Sequence, residues 1–421
     1  MTIDSQIKRG GFTLLVLMVL ANFINYLFQV LMGRMLTVEE FGTMNALFSW
    51  VLIISMPIGV VTTTTARYVA NYNAKGEINK IARFIKLLLG YLACGAGGVA
   101  LIGIAFSPVL SSYMNINNTS LCVLLAVTLS TGMFFPLLTG TVQGTKHFLG
   151  LGLLGFGQSA VKLVLGVGLV WLGYRLVGVM AALIATNFAM TLVGLYMIRG
   201  YLKKRDPVEF EDLTLGKKDI ASYTLIAFAV ILGIAFISNA DMIFVKHFFT
   251  ESQAGLYGTA VLFERFVLYI PNALVLAMFP IAAEAEATGN GSTSVAVKTL
   301  LYVGGLAILC AVGLNLFTEQ AVTLLMGTKY LAAVPYVRLT SLMAVPIGLM
   351  MTLANYCMAI RKLRVLTWSM LVGCIGCATL IELYHKSITN IIWIISATAV
   401  VLFVFNLVYL LRTKRPVISA S

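Results

Sequence analysis

The chain has 421 residues, of which 60% are hydrophobic and only 11% charged, far from the roughly 45–50% apolar and about 25% charged residues of a soluble domain. That composition excludes a water-soluble globular protein and places the chain in a bilayer. Its formal net charge of +13 is split among short loops rather than gathered on one face, which fits membrane topology and anionic headgroups and not a nucleic-acid partner.

A membrane-spanning helix needs about 20 largely apolar residues. Twelve such segments are predicted, at 11–33, 41–64, 84–108, 119–140, 150–173, 176–198, 221–240, 255–280, 297–317, 331–356, 363–383 and 388–411. The first follows Lys8 and Arg9. It exceeds the ~7–15-residue core of a signal peptide, shows no small-residue cleavage site and leads straight into further spans, so it is predicted to be retained. Of the 29 Lys and Arg, 21 fall on the side that carries both termini, six on the other, and two, Lys162 and Arg265, inside spans. Positive residues near span ends stay cytoplasmic, so both termini are predicted there.

The longest stretch between spans, Tyr201 to Asp219, has mixed charges and Pro207 and reads as a cytoplasmic linker. It divides the chain into an amino-terminal six-helix lobe (1–205), a linker (206–219) and a carboxy-terminal six-helix lobe (220–421). The halves echo each other. Thr37 and Gly42 match Thr250 and Gly255 at an offset of 213, and after a one-residue slip Ala46 and Pro57 match Ala260 and Pro271. An even number of spans per half means that the repeats are parallel, related by an axis along the membrane normal. At the elbow between the first two spans of each half, Thr37 and Thr250 are predicted helix caps with Glu39, Glu40 and Glu251 just beyond them. Gly42 and Gly255 are expected to turn the chain tightly there.

An apolar first span, then GRMLTVEEFGTMNALFSW, then the proline-bearing ISMPIGVVTTTTARYVANYNAKGE resembles the polysaccharide-transporter branch of the multidrug/oligosaccharidyl-lipid/polysaccharide (MOP) exporter superfamily. The second-half NADMIFVKHFFTESQAGLYGTAVLF is similar to it as well. The resemblance implies an all-α polytopic membrane protein of about 12 transmembrane helices in two MATE-like lobes, multi-pass in a bacterial or archaeal plasma membrane. It also implies a flippase, not an enzyme, that carries undecaprenyl-pyrophosphate-linked oligosaccharide from the inner to the outer leaflet by alternating access. The implied partners are that lipid-linked oligosaccharide, membrane lipids and polysaccharide assembly proteins. A monomer is expected, without a cofactor, driven by a coupling ion that is a proton or sodium.

Charges inside a bilayer cost about 2.5–3.5 kcal/mol each on insertion scales, so those placed there need a reason. Lys162 in the fifth span and Arg265 in the eighth are the candidate phosphate contacts, and Glu264 would balance that charge or bind the coupling ion. The alternative is a buried tie between Lys162 and Glu264, with Arg265 bonded to carbonyls near Pro271. Asn22, Asn25 and Gln29, spaced by three and four, share one helical face. They are candidates for sugar hydroxyls or for bonds between helices. Asp241 is expected at the outer end of the seventh span, as a coupling-ion ligand or as an orienting group at that junction. Pro57 and Pro271 remove backbone hydrogen bonds and are candidate hinges or static kinks.

Other motifs are declined. GLGLLG at Gly150–Gly155 fits a dinucleotide pattern but opens a membrane helix and reads as packing glycine. Cys374 and Cys377 form C-x-x-C within an apolar span, and no outside loop holds a cysteine pair, so no disulfide framework or metal site is expected. A membrane glycan transferase or ligase would need a larger acid- or histidine-bearing surface loop. The runner-up is a multidrug cation antiporter of the same superfamily, which should keep acids for its substrates. The expected mid-membrane balance of two cations against one acid favours an anionic substrate instead.

Overall fold

The computed structural model describes residues 3–202, 219–268, 292–360 and 363–412. The linker expected at 206–219, all but its last residue, and the second half of the expected eighth span, with Pro271, lie outside the described residues. Among the described residues the chain is helical throughout: α1 (Ile3–Met35), α2 (Val38–Ala74), α3 (Ile78–Tyr113), α4 (Thr119–Gly132), α5 (Phe135–Gly144), α6 (Phe148–Leu169), α7 (Arg175–Leu202), α8 (Asp219–Ile237), α9 (Ala240–Phe248), α10 (251–268), α11 (Ser292–Leu316), α12 (Thr318–Leu325), α13 (Val334–Ala359), α14 (Arg364–Tyr384) and α15 (Ile388–Arg412). Nine helical stretches among them are long and apolar enough to cross a membrane, or ten with the bent α8–α9 pair. This is a multi-pass membrane protein. One of the nine stretches, 55 residues from Phe148 to Leu202, breaks at Gly173, whose φ of 93° no helix accommodates.

The chain forms two compact units, Met1–Ser222 and Tyr223–Ser421. In the first, α1 packs along α6, α2 along α5, α3 along α4, and α7 against α4 and α6. Small residues set these approaches, as expected where lipid removes the hydrophobic drive and close backbone contact must supply it. A Cβ on Gly140 would lie 2.5 Å from the carbonyl oxygen of Thr62, and one on Gly144 would lie 2.7 Å from that of Ala66, so α5 rides on the backbone of α2. On α6, a Cβ on Gly152 would come within 2.6 Å of Leu17, and one on Gly166 within 2.6 Å of Phe28. The glycines of GLGLLG therefore include packing contacts, at Gly150 and Gly152. In the second unit α13 packs on α11 and α15, and α15 on α14.

Helix boundaries depart from the sequence reading where backbone chemistry intervenes. The fourth span, expected at 119–140, is two helices separated at Met133–Phe134, and Pro136 lies at the start of the second, where its missing N–H costs nothing. The seventh, expected to end at residue 240, continues after a bend of 47° into α9. The helix α2 passes through Pro57 as one element.

The two elbows share a chemistry. Thr37 holds an extended conformation (φ −69°, ψ 166°), its hydroxyl accepting from the Glu40 amide and Glu40 accepting from the Thr37 amide. The other Glu40 oxygen pairs with Arg175 at 3.1 Å, fastening the α1–α2 turn to the strained start of α7. At Thr250 the same reciprocal bonds run to Gln253, while Glu251 pairs with the buried Lys246 at 3.6 Å. Gly42 and Gly255 do not make these turns. Both are buried inside helices that start several residues earlier, just after the capping threonines.

Candidate functional site

In the first unit, Lys162 and Asn25 meet. Lys162 lies on α6, about 21 Å from the start of that helix at ~1.5 Å per residue. Its Nζ donates to the Asn25 side-chain oxygen and sits 4.9 Å from the centre of the Phe28 ring. The Asn25 amide donates in turn to the Ser159 hydroxyl at 2.9 Å, and that hydroxyl donates back to the Gly155 carbonyl. The seam between α1 and α6 thus holds a cation with a polar and an aromatic neighbour. Asn22 and Gln29 flank it differently. Asn22 is exposed, whereas the Gln29 side-chain oxygen is buried without a hydrogen-bond partner. The expected spans of this unit contain no aspartate or glutamate.

In the second unit the ionisable groups gather at the bend between α8 and α9 and on α10. Asn239 precedes α9 and donates to the Ala235 carbonyl at 2.9 Å. Its oxygen accepts from Arg265 Nη2 at 3.4 Å. Asp241 lies in the first turn of α9 and accepts a 2.7 Å bond from the Tyr257 hydroxyl. Its other oxygen has no hydrogen-bond partner, and neither does either oxygen of Glu264. Both acids are 1% exposed. Glu264 feels the charges of Asp241 and Arg265, and Asp241 that of Arg265. Isolated buried carboxylates are too costly to persist unpaired. This cluster is suited to taking up a proton or a small cation.

One expectation changes. The helix expected to end at residue 240 does not stop there: after a bend of 47° it continues as α9 through Asp241 to Phe248. The buried ionisable groups are segregated: Lys162 lies in the first unit, and Asp241, Lys246, Glu264 and Arg265 lie in the second, where Lys246 pairs with Glu251. Sequence reading missed Ser159, Phe28 and Tyr257. Each had a signal: Ser159 and Phe28 stand three residues from Lys162 and Asn25 respectively, and Tyr257 stands seven before Glu264, which is two helical turns on one face.

The repeat gives the segregation a pattern. At an offset of 213 Asp241 stands where the first half has Phe28, and at 214 Glu264 stands where it has Trp50. The same repeat positions are aromatic in one unit and acidic in the other.

No family model matches the chain, and no curated protein matches its sequence. Solved structures do share its fold. A multidrug resistance MATE family transporter of the MOP superfamily, in its inward-facing conformation, superposes with a TM-score of 0.74 at 14% identity, covering 94% of this chain and 100% of that one. The lipid II flippase MurJ in an inward closed conformation gives 0.67 at 12% identity over 94% and 88%. The MATE multidrug transporter DinF-BH, solved in complex with a ligand, gives 0.66 at 15% identity over 98% and 96%. The chain thus has the fold shared by MATE transporters and MurJ. At these identities the likeness defines architecture, and the site must argue for the function.

Proposed function

We propose that the protein is a transporter that flips a lipid-linked oligosaccharide, carried on a polyprenyl pyrophosphate, to the outer leaflet by alternating access. The observation that carries this reading is Lys162: a cation on a membrane helix of a unit whose expected spans hold no aspartate or glutamate. A desolvated ammonium in such surroundings attracts anions and repels cations. Asn25, Asn22 and Gln29 on the neighbouring helix are able to donate to and accept from sugar hydroxyls. Arg265 is flanked by Asp241 and Glu264, so the pyrophosphate contact is assigned to Lys162, and Arg265 to the acidic cluster. That cluster binds the coupling ion, proton or sodium.

A second reading has its own support. A multidrug cation antiporter would use the buried Asp241 and Glu264 to bind its substrate, and structures of like fold are multidrug transporters. The two are separated by charge selectivity in proteoliposomes. The flippase reading requires that a fluorescent polyprenyl-pyrophosphate oligosaccharide be moved to the far leaflet and that Lys162→Met slow this at least about tenfold. Transport of a lipophilic cation, unaffected by Lys162→Met and lost in Asp241→Asn, would establish the antiporter instead.

A further inference from the structure

The exchange of an aromatic ring for an acid between the two halves bears on which sign of charge each unit accepts. At the offset of 213 the register holds over a long run: Phe23 and Ile24 match Phe236 and Ile237, and Thr37 and Gly42 match Thr250 and Gly255. Phe28 and Asp241 lie inside that run, so they are one repeat position filled in two ways. In each unit that position serves a cation. Lys162 Nζ lies over the Phe28 ring, 4.9 Å from its centre, and Asp241 feels the charge of Arg265.

Three helices fix the ring. It is fully buried on α1. A Cβ on Gly166 would come within 2.6 Å of its Cε2, so α6 leaves a notch for it about one turn beyond Lys162. From α2, Phe48 stacks on it, the ring centres 6.2 Å apart and the planes 9° from parallel, within the range of favourable aromatic pairs. The helix that carries the ammonium thus also carries the notch that seats its aromatic neighbour, and Asn25 on α1 accepts a hydrogen bond from the same ammonium.

A π face and a carboxylate hold an ammonium differently. The ring attracts the cation through its quadrupole and adds no net charge, so the pair keeps its positive charge and still draws an anion. A carboxylate at that place would cancel the charge and leave a dipole. In the second unit two buried carboxylates, Asp241 and Glu264, stand against one guanidinium, that of Arg265, and leave a formal negative charge, the sign that draws a cation.

We propose that Phe28 is the specificity-determining residue of the Lys162 site: its ring positions the ammonium beside Asn25 without cancelling its charge, and so commits the first unit to an anionic ligand. This rests on the flippase reading for the identity of that anion. The test titrates polyprenyl pyrophosphate against the full-length protein and reads binding by native mass spectrometry. A trifluorinated phenylalanine at position 28 nearly keeps the shape of the ring and drains its negative face, and it should weaken binding about threefold or more. The same residue in place of Phe23, exposed on α1, should leave binding unchanged. Phe28→Asp, which installs the second unit's residue, should weaken binding at least about tenfold. Lys162→Met should also weaken it at least about tenfold in the wild-type background but less than about threefold in Phe28→Asp, where the charge is already cancelled.

Two results overturn the proposal: unchanged affinity with the fluorinated ring, or a loss on Lys162→Met that is as large in Phe28→Asp as in the wild-type background. The fluorinated variant decides alone if Phe28→Asp does not fold. Titration reads binding and not flipping, so the two readings fail separately. Binding indifferent to the ring, with intact oligosaccharide flipping, removes the role of Phe28 and keeps the flippase. Binding that follows the ring in a protein that flips nothing keeps the role of Phe28 and removes the flippase.

Discussion

Replacing Lys162 with methionine roughly keeps the side chain's length and removes its charge, with separate consequences for stability and for transport. The substitution gives up a hydrogen bond from a charged donor to Asn25, worth about 1.5–3 kcal/mol, and a cation–π contact with Phe28, worth ~0.5–2 kcal/mol. It also relieves the cost of holding a charge in the bilayer, about 2.5–3.5 kcal/mol. The terms nearly cancel, so purified Lys162→Met should unfold within a few degrees of the wild type. Transport should behave otherwise. A unit charge ~6 Å from a phosphate oxygen at an effective dielectric of ~20 contributes about 2.8 kcal/mol, up to roughly a hundredfold in rate. Outer-leaflet appearance of a fluorescent lipid-linked oligosaccharide, measured at equal protein abundance, should fall at least about tenfold in Lys162→Met and recover in Lys162→Arg. A variant that unfolds many degrees early yet transports normally per folded molecule would show Lys162 to be only a tie between α1 and α6.

Asp241→Asn keeps the acceptor for Tyr257 and removes a titratable carboxyl. Transport should then lose its response to an imposed proton or sodium gradient while oligosaccharide binding persists, and collapsing each gradient separately in the wild type identifies the ion. Gly140→Ala drives a Cβ to 2.5 Å from the Thr62 carbonyl oxygen. It should cost about 1–3 kcal/mol through overpacking, seen as a lower apparent Tm in detergent, whereas Gly59→Ala in α2, which meets nothing within 4 Å, should not.

Much of the architecture could be read in the chain because a bilayer leaves few options: apolar runs must be helices, and lysine and arginine mark their ends. The elbow chemistry was visible too, since Thr37 and Glu40 stand at capping-box spacing. What misled was local. Gly42 looked like a turn residue, yet the extended threonine before it made the turn. The end of α8 looked like the end of a helix, since Ser238, Asn239 and Asp241 are polar, and hydropathy alone does not show that the chain bends there and continues as α9. The Asn25–Lys162 meeting spans 137 residues of sequence, and no spacing rule along one helix reveals contact between two.

The central claim is that an anionic lipid-linked glycan is moved, and the most direct measurement is the leaflet distribution of such lipids in cells lacking this protein. The account predicts that one polyprenyl-pyrophosphate oligosaccharide accumulates on the inner leaflet, and that the wild-type protein clears it while Lys162→Met does not. An unchanged distribution, together with lost resistance to cationic drugs, would contradict it and establish the cation antiporter.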